Sequence, residues 1–395
     1  MRFVLAAMVL LCVYLSAAQA DPKDPVIIGF DGAYGLKGST SAQSIELGVR
    51  VAIEEINQAG GVLGGRPLEL VTRDNKTMPA RTIDHITEFA AIPDLVALVT
   101  GRFSPTVLEA LPAIHEHNMV TLAAWSAANG IVSNDYSPNY VFRLSLRDGN
   151  AIPFMLSHLM DQGHKNIGLL LTNTAWGRSN LAVAEAVLEA TPEATLTQVA
   201  WYNWLDESLI DKYQAIRAAD TDAVVIVAND TEGSILLNEL AELPDDELLP
   251  IVSHWGVSGG QLYETLADPT ILERVNFLVI QTFSLFNLSE DRQAATLSKI
   301  QALTDLNRLE DLPSHVGFGH AYDLVHILAR AIEIAGSTDR SAIRDALEQV
   351  TDYNGLVDDF AQPFSPDRHE ALAKEHLFFG HYDQAGVLRP ATDQD

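Results

Sequence analysis

Apolar residues recur along this chain with two alternating periods. Short runs rich in Val, Ile and Leu at 26–30, 68–72 and 95–100 read as strands buried on both faces. Between them the period lengthens. Ile45, Leu47, Val51, Ala52, Ile53 and Ile56 give an apolar stripe that predicts a helix over 41–58, stopped by Gly60-Gly61. Helices are expected at 79–91 and 105–117, and strands at 119–123 and 140–144. A second series follows, with helices at 151–161, 177–190, 205–219 and 232–240. Its strands are expected at 166–171, 195–201, 223–227 and 249–253. After a strand at 276–281 come helices at 289–306, 316–335 and 340–350, and a hairpin over 374–388.

Two successive βαβ series predict an α/β protein of two doubly wound lobes with parallel sheets. No Pro/Ser-rich linker separates them, so several short crossings are expected, each lobe being assembled from discontinuous pieces.

Composition sharpens this picture at the N-terminus. Arg2, the apolar run 3–15 and Ala18-Gln19-Ala20 form a secretory signal, expected to be cleaved near Ala20. The run is shorter than the roughly 20 residues a membrane span needs. The single cysteine, Cys12, lies inside it and follows Leu11, which argues against lipidation; the mature chain has no thiol chemistry. The 395 residues suit two domains, and a net charge of −28 with no basic cluster in the sequence excludes nucleic acid as a partner.

Candidate chemistry is sparse. Gly256-Val257-Ser258-Gly259-Gly260 satisfies G-x-S-x-G, but Ser258 lies beyond the predicted strand end, where a nucleophile elbow would not put it. A secreted serine hydrolase using Ser258 is therefore the rival class. His115-Glu116-His117 would point to different faces of one helix, so no metal site is expected. Neither a phosphate loop nor G-x-G-x-x-G follows the first strand, and no cofactor is expected.

Strand ends say more, because open parallel sheets bind ligands beyond the carboxyl ends of their strands. Polar or aromatic residues follow several predicted strands, including 101–106, 124–126, 173–177, 229–231 and 254–255. Trp125, Trp176 and Trp255 occupy comparable positions and suggest an aromatic-walled cleft.

The string Ala52-Ile53-Glu54-Glu55-Ile56-Asn57 followed by Ala59-Gly60-Gly61 and Gly64 carries a family likeness. Ile27 to Gly32, Leu98-Val99-Thr100-Gly101, Tyr140-Val141-Phe142-Arg143 with Asp148, and Thr174-Ala175-Trp176-Gly177 keep the same order. The mature chain resembles type 1 periplasmic solute-binding proteins of the leucine/isoleucine/valine-binding family. That resemblance implies two Rossmann-like lobes joined by three hinge segments. Lobe 1 is expected from 21–146 and 282–354, and lobe 2 from 147–281 and 355–395.

It also implies a periplasmic protein that captures a small ligand by hinge closure and delivers it to an ABC permease; a ligand-presenting subunit of a membrane sensor is the runner-up. Arg102, Ser104 and Thr106 are expected to meet an anionic group, with Ser126 adding a hydrogen bond. Phe103, Trp125, Trp176 and Trp255 would form walls, and Asn229 and Asp230 the second-lobe polar contacts. Relatives commonly keep an acid for a ligand ammonium where this chain has Trp255. The ligand is thus expected to be an amino acid or an aromatic or other organic acid.

Overall fold

A computed structural model of the chain describes residues 23–36 and 38–391. The expected secretion signal at 1–20 lies outside the described residues. The first series consists of β1 (Val26–Gly32), α1 (Ser41–Gln58), β2 (Leu68–Asp74), α2 (Pro79–Ala90), β3 (Leu95–Thr100), α3 (Ser104–Glu116), β4 (Val120–Ala123) and β5 (Val141–Arg143). The second consists of α4 (Asp148–Asp161), β6 (Asn166–Thr172), α5 (Ala175–Glu189), β7 (Thr195–Tyr202), α6 (Ile210–Arg217), β8 (Ala223–Val227), α7 (Asp230–Ala241), β9 (Ile251–Ser253), α8 (Ile271–Arg274) and β10 (Leu278–Gln281). Then come α9 (Glu290–Gln301), α10 (His315–Ala335), α11 (Arg340–Leu347), β11 (Tyr353–Asn354), β12 (Asp359–Phe360), β13 (Phe378–Tyr382) and β14 (Leu388–Pro390).

Among the described residues the strands build two main sheets, as the two series predict. The first is parallel, in the order β2-β1-β3-β4-β5; the second runs β14-β13-β10-β9-β8-β6-β7, with the β13–β14 hairpin antiparallel at one edge. In both, the order reverses beside the first strand of the series, between β1 and β3 and between β6 and β8. Those reversals open crevices at the strands' carboxyl ends.

Helices α10 and α11 return to the first sheet. Helix α1 packs closely on α10 at Gly48, where a Cβ would lie 2.2 Å from the Phe318 carbonyl oxygen. Helix α6 starts later than the expected 205. Leu205 takes a left-handed φ of 74°, and Asn203 N–H donates to Asp206 Oδ2 at 3.0 Å, so a turn occupies the first residues.

We place the last crossing between the lobes after residue 371, later than the 354/355 boundary read from sequence. Arg143 N–H donates to the His369 carbonyl, and Ala371 N–H to that of Arg143. The buried Arg143 guanidinium also meets both carboxylate oxygens of Glu370, at 2.7 and 2.5 Å. This segment therefore lies against β5, and the chain joins the second sheet only at β13.

Candidate functional site

The two reversal crevices face each other. Arg102, Phe103, Ser104, Pro105, Trp125 and Ala127 line one side of a pocket; Trp176, Trp204, Asn229, Trp255 and Gly256 line the other. In this closed arrangement the space between them is only about 10 Å³, far below the several hundred Å³ of an open small-molecule site. Seven of the residues singled out from sequence thus converge here: Arg102, Phe103, Ser104, Trp125, Trp176, Asn229 and Trp255.

The walls are aromatic. Trp125 and Trp255 meet across the lobes with ring centroids 5.5 Å apart, and Phe103 meets Trp204 edge-on at the same separation. Trp176 Nε1–H donates to Asp148 Oδ1 at 3.2 Å, which fixes its ring. His254 Nε2 meets the same oxygen at 3.1 Å and stands edge-on to Trp176. His320 supports Trp255 from the first lobe, 5.8 Å away. Burial lowers its pKa to about 4, and its contacts suit a neutral ring: Nδ1–H to the Ala124 carbonyl and Nε2 accepting from the Thr282 hydroxyl, both at 3.0 Å.

Polar groups divide into spoken-for and spare. Thr106 Oγ1 donates to the Phe103 carbonyl and Ser126 Oγ to that of Gly101, both at 2.7 Å. Ser104 Oγ accepts from Ala128 N–H at 3.2 Å. Arg102 crosses the lobes: Nη2 meets Asp230 Oδ1 at 2.5 Å, and Nη1 donates to the Gly256 carbonyl at 3.1 Å. The Arg102 and Asp230 side chains are only 1% and 3% exposed. Thr106, Ser126 and Asp230 are not among the residues lining the pocket.

In contrast, the indole N–H groups of Trp125 and Trp204 are buried and make no hydrogen bond among the described residues; nor do His254 Nδ1 and Asp148 Oδ2. Three helices also begin at the pocket. The N-caps of α3, α5 and α7 are Phe103, Thr174 and Asn229, and none caps its helix with a side chain. Their first-turn N–H groups and positive dipole ends thus face one place.

Sequence reasoning missed Trp204, whose place depends on the turn before α6, and the pairing of Asp148 with His254. It quoted both His254 and Asp148 without giving either a contact. Ser258 lies in a 3₁₀ turn, Trp255–Gly259, and its Oγ donates to the Trp255 carbonyl at 2.7 Å. That is not the strand-to-helix elbow a nucleophile would need.

The main chains also meet at the cleft's edge. Thr40 N–H donates to the Gly259 carbonyl and Gln261 N–H to that of Gly38. Two glycines permit the approach: a Cβ at Gly259 would lie 1.6 Å from Arg102 Nη1, and one at Gly260 would lie 2.3 Å from Asp230 Oδ2.

A family profile described as periplasmic binding protein matches residues 25–384. The Leu/Ile/Val-binding protein homolog 3 of Brucella melitensis is 23% identical over 342 residues, 83% of each chain. A type 1 periplasmic binding protein of Bordetella pertussis superposes with a TM-score of 0.81 at 19% identity, covering 93% of this chain and all of that one. A solute-binding protein of an ABC transporter from Rhodopseudomonas palustris, solved with 3,4-dihydroxybenzoic acid, gives 0.76 at 14% identity, covering 93% and 95%.

Proposed function

Because this chain belongs to the periplasmic binding protein family, we propose that it captures a small aromatic or other organic acid between its lobes for an ABC permease. The observation that carries this reading is an aromatic box with spare donors and no carboxylate among its described lining residues. Trp125 and Trp204 N–H groups and three helix N-termini suit a carboxylate. The indole faces suit a ring. A ligand ammonium finds Trp255 where relatives commonly keep an acid, and Asp230 is already held by Arg102.

Capture follows from geometry. Ser104 and Trp125 belong to one lobe, and Trp176, Trp204 and Trp255 to the other, so a ligand touching both sets favours the closed form by its extra contacts. An α-amino acid is the second reading, because Asp148 Oδ2 has no partner and an ammonium reaching it would gain a charged hydrogen bond.

The test is a thermal-shift and calorimetric screen of hydroxybenzoic acids against leucine, isoleucine and phenylalanine. A ring acid should raise the unfolding midpoint, and Trp255→Ala should weaken its binding about 100-fold, as loss of a buried aromatic contact. Binding of an α-amino acid with no response to ring acids refutes the proposal.

A further inference from the structure

Outside the cleft, the outer side of the first lobe carries a cationic pocket between α9, α10 and the turn at β11. Arg292, Lys299, His326 and Arg330 line it together with Tyr322 and Tyr353, around a cavity of about 290 Å³. Among the described residues the lining contains no carboxylate, in a chain with 53 acidic and 25 basic residues.

Its cations are unevenly compensated. Lys299 and His326 share Glu55, at 2.8 and 3.6 Å. Burial raises the Glu55 pKa, but hydrogen bonds from His326, Lys299 and Tyr322 outweigh it and hold the value at about 2. Arg292 and Arg330 form no ion pair among the described residues. Arg292 uses only Nη2, on the Gly355 and Leu356 carbonyls. Arg330 uses only Nη1, on the carbonyls of Thr351 and Asp352. Each guanidinium has five N–H donors, so most remain spare on both.

Two of the cations are also held against aromatic rings. The Arg330 guanidinium lies 5.0 Å from the Tyr353 ring centroid, and Lys299 Nζ lies 5.3 Å from that of Tyr322. Tyr353 is anchored by its hydroxyl, which donates to the buried Asp323 at 2.6 Å. Pre-positioned guanidiniums with free donors and no carboxylate favour an oxyanion that accepts from several directions.

We propose that this pocket binds a phosphate group, held by Arg292 and Arg330 with Lys299 beside them. The group is either free inorganic phosphate or the phosphate of an anionic lipid headgroup. The site is independent of the ligand in the cleft.

Calorimetry of the full chain with inorganic phosphate, at ionic strength held constant with chloride, tests this. Saturable binding is expected, weakened at least about tenfold in Arg292→Gln/Arg330→Gln through loss of charge-assisted bonds. It should be unchanged in Trp255→Ala. If the double variant does not fold, Arg330→Gln alone serves. Arg330→Lys then separates charge from fork, and should bind more weakly than the parent.

Sedimentation with phosphatidylglycerol vesicles, against phosphatidylcholine vesicles, identifies the source. Arginine-dependent binding to the former assigns lipid, and binding of inorganic phosphate alone assigns the free ion. Three results overturn the proposal: no saturable phosphate binding over chloride, equal binding by the double variant, or loss in Trp255→Ala.

Discussion

Arg102 and Asp230 are 128 residues apart in sequence and in contact across the lobes, and each makes the other tolerable in a dry interface. Removing one partner strands the other, at a cost of about 3–5 kcal/mol for a buried pair. Opening the lobes lets water relieve that cost. Arg102→Gln should therefore shift the ligand-free protein toward the open form, with a larger radius of gyration in solution scattering. Arg102→Gln/Asp230→Asn should restore the compact value, and an unchanged curve for the single variant would refute the latch. At this scale the sequence was partly legible. Trp125, Trp176 and Trp255 announced themselves by rarity and by position after strands. The pairing of Arg102 with Asp230 did not, because nothing local in either segment encodes a partner in the other lobe. Nor did the sequence show that Thr106 and Ser126 donate to nearby carbonyls, as hydroxyls near strand and helix ends often do.

Among the elements, strands and helices were the most legible part. The runs at 95–100 and 223–227 coincide with β3 and β8, and the stripe over 41–58 with α1, because buried parallel strands and amphipathic helices write their periods directly into the sequence. The start of α6 escaped because a left-handed Leu205 leaves no compositional mark. The α1–α10 contact makes a sharp test. Gly→Ala within a helix ordinarily gains about 0.5–1 kcal/mol. At Gly48 the added methyl meets the Phe318 carbonyl, so Gly48→Ala should instead destabilise by about 1–3 kcal/mol, read by urea unfolding.

Helix α10 also sets a pH dependence. Burial lowers the pKa of both His315 and His320 to about 4. Unfolded, each binds its proton near pH 6.5. Their contribution is thus fully present above that value and is lost as pH falls toward 4. Asp323, raised by burial to about 6, acts oppositely, stabilising most below the ordinary carboxylate range and fading as pH rises to 6. Two histidines outweigh one carboxyl, so unfolding free energy should fall between pH 6.5 and 4. His320→Gln should flatten that slope, and an unaltered slope would count against the buried neutral ring.

For the whole molecule, charge governs the approach of ligand. A net charge of −28 repels an anion at long range, while the helix ends that attract it act only within the cleft. Raising salt from about 0.01 to 0.15 M shortens the Debye length from about 30 to 8 Å. Association of a ring acid should accordingly speed up by a few-fold with salt, measured by stopped flow; a slower rate would place net attraction outside the cleft.

Four of the five tryptophans line that one pocket, and Trp201 alone among them is elsewhere, on β7. The protein consequently carries its own optical gauge of the gap between its lobes. Trp125 belongs to one lobe and the other three to the second, so every opening changes the surroundings of nearly all the emission at once. Excited near 295 nm, the chain should show a blue-shifted, less quenchable signal when shut and a red-shifted one when open. It needs no attached dye, and Trp201 supplies a steady background.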